Sequence, residues 1–228
     1  AVDETGRVTG FVEKPSDPPG IPGREHLALA SMGNYIFRRD VLLDELKRDA
    51  SEDQTSHDFG KDILSTAHER TDVFAYDFSQ QLVEGEAERS RGYWRDVGTI
   101  DSYFDANMDL VSVEPLLNLY NPSWPIRGIQ PQLGPAKFVF SDHKGNRVGQ
   151  AHDSIVGAGA IVSGGTLSRS IVSYGARVNS YSHVDECVLL PYVDVGRGAR
   201  LSRCIVDKGV HIPPGTIVGE DPEEDRKR

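Results

Sequence analysis

The strongest pattern in the chain lies between Asp153 and Glu220, where aliphatic residues recur in lines of seventeen. The lines read DSIVGAGAIVSGGTLSR, SIVSYGARVNSYSHVDE, CVLLPYVDVGRGARLSR and CIVDKGVHIPPGTIVGE. Three columns are aliphatic throughout: Ile155, Val172, Leu189 and Val206; Ile161, Val178, Val195 and Ile212; Leu167, Val184, Leu201 and Val218. A repeat of this kind places one inward residue on each of three short strands per turn. A single turn cannot bury its own apolar face, so the turns must stack. Glycines 157, 164, 175, 196, 209 and 215 supply corner conformations that other residues adopt only at a cost.

Upstream, periodicity predicts alternating strands and helices, as in a mixed α/β domain. Arg7–Glu13, Leu27–Phe37, Val73–Phe78 and Tyr93–Val97 read as strands. Asp40–Lys47 and Asp58–Ala67 read as helices with Asp40 and Asp58 as N-caps. Thr99 is expected to cap a helix to Ser112 whose apolar face holds Ile100, Tyr103, Phe104, Met108 and Val111. Leu116–Phe140, with four prolines, reads as a packed linker, and Ser141–Gly149 as a turn. The repeat itself resembles the hexapeptide repeats of left-handed parallel β-helices.

With 228 residues the chain is long enough for two cores. A formal charge of −10 disfavours nucleic acid or an anionic membrane as a general partner, and no apolar run is long enough for a membrane span. Cys187 and Cys204 share a column, so adjacent turns bring them to about 5 Å. A disulfide is geometrically possible there, while two reduced, buried thiols suit a cytoplasmic protein. The start at Ala1, already in mid-strand pattern, and the charged end DPEEDRKR suggest a fragment.

Four short motifs carry candidate chemistry: FVEKP (11–15), SMGNYIF (31–37), HDFGKD (57–62) and YWRDVGT (93–99). Each has a structural alternative. Glu13 and Lys14 can be a solvated strand end, Ser31 a buried hydroxyl bonded to backbone, Asp58 a helix cap and Asp96 a turn residue.

Taken in order, and with NPSWPIR (121–127), PAKFVF (135–140) and the segment VDK…IPPGT (206–216), the motifs resemble those of the sugar-nucleotide pyrophosphorylases. The nearest branch is that of the bacterial glucose-1-phosphate adenylyltransferases. The resemblance implies transfer of an adenylyl group from ATP to glucose 1-phosphate, giving ADP-glucose and pyrophosphate for glycogen synthesis. It implies catalytic roles for Lys14 and Asp96, Mg²⁺ on Asp96, and a substrate-binding set of Glu13, Lys14, Ser31, Tyr35, Asp58, Phe59 and Trp94. Lysine is a compact phosphate anchor and an ionised glutamate accepts from sugar hydroxyls, so Lys14 and Glu13 suit those roles chemically. The resemblance further implies a homotetramer responsive to phosphorylated effectors, with Lys208 in the effector site.

The sequence departs from the family's pattern. No glycine-rich phosphate loop followed by arginine stands in these 228 residues, and no second metal acid is apparent. The expected organisation is a partial nucleotidyltransferase domain (1–114), a linker (115–152), a left-handed β-helix (153–220) and a truncated charged tail (221–228). On this reading the chain alone is inactive. Rival readings are a pyrophosphorylase for another sugar or nucleotide, a non-catalytic regulatory or assembly subunit, and a β-helix acyltransferase using His183 or His211, for which the sequence suggests no acid partner.

Overall fold

A computed structural model describes residues 1–12, 15–129, 131–142 and 144–226. The chain divides into two compact units, Ala1–Gln80 and Gln81–Arg228.

The second unit is dominated by a parallel β-solenoid of about four turns, consistent with a left-handed β-helix. One side stacks Lys137–Val139, Ile161–Ser163, Arg177–Val178, Asp194–Val195 and His211–Ile212. The next stacks Gln150–His152, Thr166–Ser168, His183–Asp185, Arg200–Ser202 and Ile217–Val218. The third holds Ile155–Val156, Ile171–Val172, Val188–Leu189 and Ile205–Val206. All these pairings are parallel, and each interior strand of a side bonds to the turns before and after it. The core is the column of inward side chains: Val162, Leu167, Val172, Val178, Val184, Leu189, Val195 and Leu201 are buried. Fully burying each such side chain is worth about 1.5–3 kcal/mol.

Ten of the twelve expected inward residues belong to this core; Ile155 and Ile161 do not. The register pairs Val156 with Val172 and Val162 with Val178, so the first turn is sixteen residues long, one short of the others. The difference lies at one corner. Val162 to Leu167 spans five positions where Val178 to Val184 spans six. The solenoid also begins earlier than expected. Phe138, in the proline-rich linker, pairs with Val162, and Ala151 pairs with Leu167. A short antiparallel hairpin, Ser141–Asp142 with Arg147–Val148, interrupts this opening turn. Arg147 stacks its guanidinium on Phe140 at 3.4 Å and donates to Ser180 Oγ at 3.0 Å.

Corners use left-handed residues. Gly159, Gly175 and Gly209 occupy one such corner in successive turns with φ near 70°, and Tyr192 takes the same place at φ 61°. Tyr192 is held there by an edge-on contact with Tyr174, ring centres 5.3 Å apart. A Cβ on Gly175 would meet the Tyr192 ring at 2.5 Å, so this corner has no room for a larger residue without moving the ring.

In the first unit, the helix Arg39–Ala50 forms as expected but starts differently. Its N-cap is Arg38, which makes no side-chain cap; Asp40 lies in the first turn and accepts from Arg38. Asp58 does cap, accepting from Lys61 N–H at 2.8 Å. The segment it starts is a π-helical turn, Phe59–Leu64, that tightens into Ser65–Ala67. Ile63, Leu64 and Ala67 are the buried apolar centre of this unit. Buried Glu45 binds Arg70 and Arg48, holding the two helical pieces together.

The expected strands of this half do not form as ladders. Arg7 bridges Phe74, and Ala75 N–H donates to Gly6 O, so the first and third segments touch. Leu27–Phe37 and Tyr93–Val97 lie in no strand, and Gly33 bends the first of them. A segment becomes a strand only when it pairs with a neighbour's donors and acceptors, and neither of these two joins a sheet. In the second unit, Thr99 and Ser102 form a reciprocal capping box on the helix Ile100–Leu110, which ends two residues before the expected Ser112. Tyr103, Phe104 and Met108 are half-buried, but Ile100 is 78% exposed.

Candidate functional site

In the first unit, two of the four motifs converge. Gly33, at φ 74°, turns the SMGNYIF segment, and its N–H donates to Ser31 Oγ at 3.2 Å. Ser31 Oγ lies 2.8 Å from the Tyr35 hydroxyl. The ring of Tyr35 stacks on Phe59 at 6.4 Å, and Phe37 meets both rings edge-on at 6.4 and 6.0 Å. Ser31 and Tyr35 are exposed, so the reading of Ser31 as a buried hydroxyl does not hold.

The second motif is wrapped on itself. Asp62 accepts from Ser56 N–H, Ser56 Oγ and Asp58 N–H, and the Ser56 hydroxyl above all holds its carboxyl below the usual range. Asp58 is therefore a helix cap whose loop aims Phe59 at Tyr35. Sequence reasoning passed over Asp62, and over buried Asp49, whose Oδ2 lies 2.7 Å from His57 Nδ1. An aspartate four residues after another in a Ser/His-rich turn is the available signal for the first. Glu13 and Lys14 lie outside the described residues.

In the second unit, Trp94 is 48% exposed and Asp96 is exposed. Asp96 Oδ1 accepts from Gly98 N–H at 3.0 Å, an aspartate turn that leads into the Thr99 cap. Among the described residues Oδ2 accepts no hydrogen bond, so Asp96 can offer one carboxylate oxygen to a hard cation. Mg²⁺ takes one or two carboxylates plus phosphate oxygens. No group of three or more His, Cys, Asp or Glu converges among the described residues, and Asp96 fits as a single ligand of such an ion.

A cavity of about 660 Å³ lies between the start of the helix Ile100–Leu110 and the strand Ile205–Val206, lined among others by Thr99, Asp101, Tyr103, Arg203 and Asp207. Lys208 follows Asp207, is exposed, and makes no ion pair among the described residues. Because of the short first turn, its column holds Pro191, Tyr174 and Ala158. No acid stands in that column. His211 differs from expectation: its Nδ1 lies 3.2 Å from Asp194 Oδ2, and Asn179 steadies Asp194 at 2.7 Å. His183 pairs by backbone with Thr166 and Arg200.

Residues 1–113 match the family model described as nucleotidyl transferase, and residues 134–228 match that described as GlmU-like, C-terminal hexapeptide. Proteins named glucose-1-phosphate adenylyltransferase match the whole chain. That of Granulibacter bethesdensis is 51% identical, with 54% of its own length covered. That of Paramagnetospirillum magneticum is 53% identical with 52% covered, and that of Anaeromyxobacter sp. 49% with 56% covered. No helix among the described residues is long and apolar enough to cross a membrane. The chain spans about half the length of these curated relatives, and from the nucleotidyl-transferase segment through the hexapeptide solenoid it belongs to the family of the bacterial glucose-1-phosphate adenylyltransferases.

Proposed function

We propose that this chain is the sugar-phosphate side and the β-helix of an enzyme that transfers an adenylyl group from ATP to glucose 1-phosphate. The observation that carries the reading is the convergence of SMGNYIF and HDFGKD on one exposed cluster of Ser31, Tyr35 and Phe59. Two hydroxyls 2.8 Å apart beside an aromatic face suit a sugar, whose hydroxyls need donors and acceptors and whose C–H faces pack on rings. The phosphate oxygen of glucose 1-phosphate attacks the α-phosphorus of ATP, and pyrophosphate leaves. Such chemistry is mostly positioning and charge neutralisation. In this proposal Lys14 anchors the sugar phosphate, Glu13 accepts from the sugar, and Trp94 and Asp58 complete the substrate-binding set. A divalent ion, Mg²⁺ in this reading, held in part by Asp96, supplies charge neutralisation at the phosphates when bound. The parent is a cytoplasmic homotetramer serving glycogen synthesis.

The test uses a full-length parent. Lys14→Ala should raise KM for glucose 1-phosphate at least tenfold, about 1.4 kcal/mol, with little change in KM for ATP. Equal effects on both substrates would reject the anchor. Asp96→Asn should lower kcat and shift its dependence on magnesium concentration; an unaltered magnesium response removes Asp96 from the ion.

Lys208 is proposed as an effector contact. An unneutralised ammonium next to the cavity at Arg203 and Asp207 suits a phosphorylated ligand. Lys208→Ala should blunt effector response while leaving unactivated kcat within about threefold, roughly 0.7 kcal/mol. Superimposable effector curves for mutant and parent make it a plain surface lysine.

A further inference from the structure

The column at one corner of the solenoid is a ladder of small polar side chains. Ser154 Oγ donates to His152 O at 2.7 Å and accepts Ser170 N–H at 3.1 Å. Ser170 Oγ repeats this one turn on, donating to Ser168 O at 2.7 Å and accepting Cys187 N–H at 3.0 Å. Cys187 continues the ladder with Sγ 3.1 Å from Asp185 O. Its Sγ is also 3.6 Å from Sγ of Cys204, the fourth member. Cys187 is fully buried, and Cys204 is half-buried. Cys204 directly precedes Ile205–Val206, the outermost strand of its side, so no further strand covers it on that side.

We propose that Cys187 and Cys204 are a thiol pair that closes to an intrachain disulfide when a low-molecular-weight disulfide reaches Cys204. In-register residues on adjacent parallel strands have Cα atoms within the span a disulfide needs, about 4.4–6.8 Å. The two sulfurs are already in contact, so closure needs side-chain rotation and no change of register. The roles differ by position. Cys204 is reachable, and hydrogen bonding from Cys187 favours its thiolate, although Asp225 opposes this. Its partner is buried, and its hydrogen bond to Cys204 together with burial keeps it protonated.

The Cys204 thiolate attacks one sulfur of oxidised glutathione. That S–S bond breaks, a mixed disulfide forms at Cys204, and one glutathione leaves as thiolate and takes a proton. Cys187 then attacks Cys204 Sγ and gives up its proton, and the second glutathione leaves. The protein loses two hydrogens, and one glutathione disulfide becomes two glutathiones. Thiolate character and access govern such exchange.

The serines higher in the ladder show which variants keep the fold, because a hydroxyl already performs both hydrogen bonds there. Cys187→Ser and Cys204→Ser are therefore the controls. The full chain is incubated with oxidised glutathione, quenched in acid, unfolded and alkylated, and its intact mass is read. The wild-type chain should lose two hydrogens, take up no alkyl group and carry no glutathione, and dithiothreitol should restore both thiols. Cys187→Ser should stop at a glutathione adduct on Cys204, with no resolving thiol. Cys204→Ser should react at least tenfold more slowly, since its remaining thiol is buried. Two alkylatable thiols after oxidation, a stable glutathione adduct on the wild-type chain, or equal rates for both serine variants would each overturn the proposal.

Discussion

The β-solenoid and the first unit differ in where their hydrogen bonds end. In the solenoid each strand finds its neighbours within a few tens of residues, and its core is a continuous column of aliphatics. In the first unit the extended segments meet only at single bridges, and Val12, Leu29, Ile36 and Tyr76 stand exposed. What holds that unit is local: two short helical pieces, the small apolar centre at Ile63, and the Glu45 clamp. A repeat is thus stable by addition of like parts, whereas a mixed domain depends on strands that must find distant partners.

This contrast is broken first by core substitutions. Val178→Asp places an unpaired charge in the middle of the column and should cost several kcal/mol, collapsing the solenoid's denaturation midpoint. Ile63→Ala should cost about 2–4 kcal/mol in the first unit only. Amide exchange read separately over the two units checks both. A solenoid that loosens along with Ile63→Ala would show that the two regions unfold together.

A smaller effect sharpens the comparison through pH. Hydrogen bonds from Arg70 and then Arg48 hold the Glu45 carboxyl below its usual range. A depressed carboxylate stabilises the fold above its unfolded value, about 4.3, and that contribution is lost as pH falls through the folded value. The first unit should therefore weaken below about pH 4. Glu45→Gln should cost about 1–3 kcal/mol at neutral pH and flatten the acid dependence of this unit. An acid limb that persists unchanged in the variant, followed by exchange at Ile63 and Leu64, would assign the sensitivity to other carboxylates.

The solenoid was legible because its signal is a count: one inward residue per side, in every turn. Its error in the first turn came from adjacent aliphatic pairs. At Ile155–Val156 and Ile161–Val162 either residue can fill the column, and only the length of the corner at Gly164–Gly165 decides. Caps were readable where they are local, at Asp58 and Thr99, and misread at Asp40, where Arg38 competes for the carboxylate. Strands at Leu27–Phe37 and Tyr93–Val97 were not readable as strands or coils, since the outcome rests on neighbours and not on alternation. The Asp194 partner of His211 stands one line away in the same column, so the repeat does contain it. The Ser31–Tyr35–Phe59 cluster needed the fold, because Phe59 comes from a different motif twenty-odd residues on.

The shortened corner has a consequence for how such chains change length. A Cβ on Gly165 would strike Ser182 Oγ at 2.7 Å and Asn179 O at 2.8 Å, so the closed-up bend lies against the turn beyond it. The Arg147 side chain passes beside Gly164 to reach Ser180 and fills the room of the residue that is not there. The sides before and after the bend keep their pairing as if nothing were missing. The molecule keeps time in sides and not in residues: a deletion confined to a bend is absorbed there, and the next aliphatic falls on the beat.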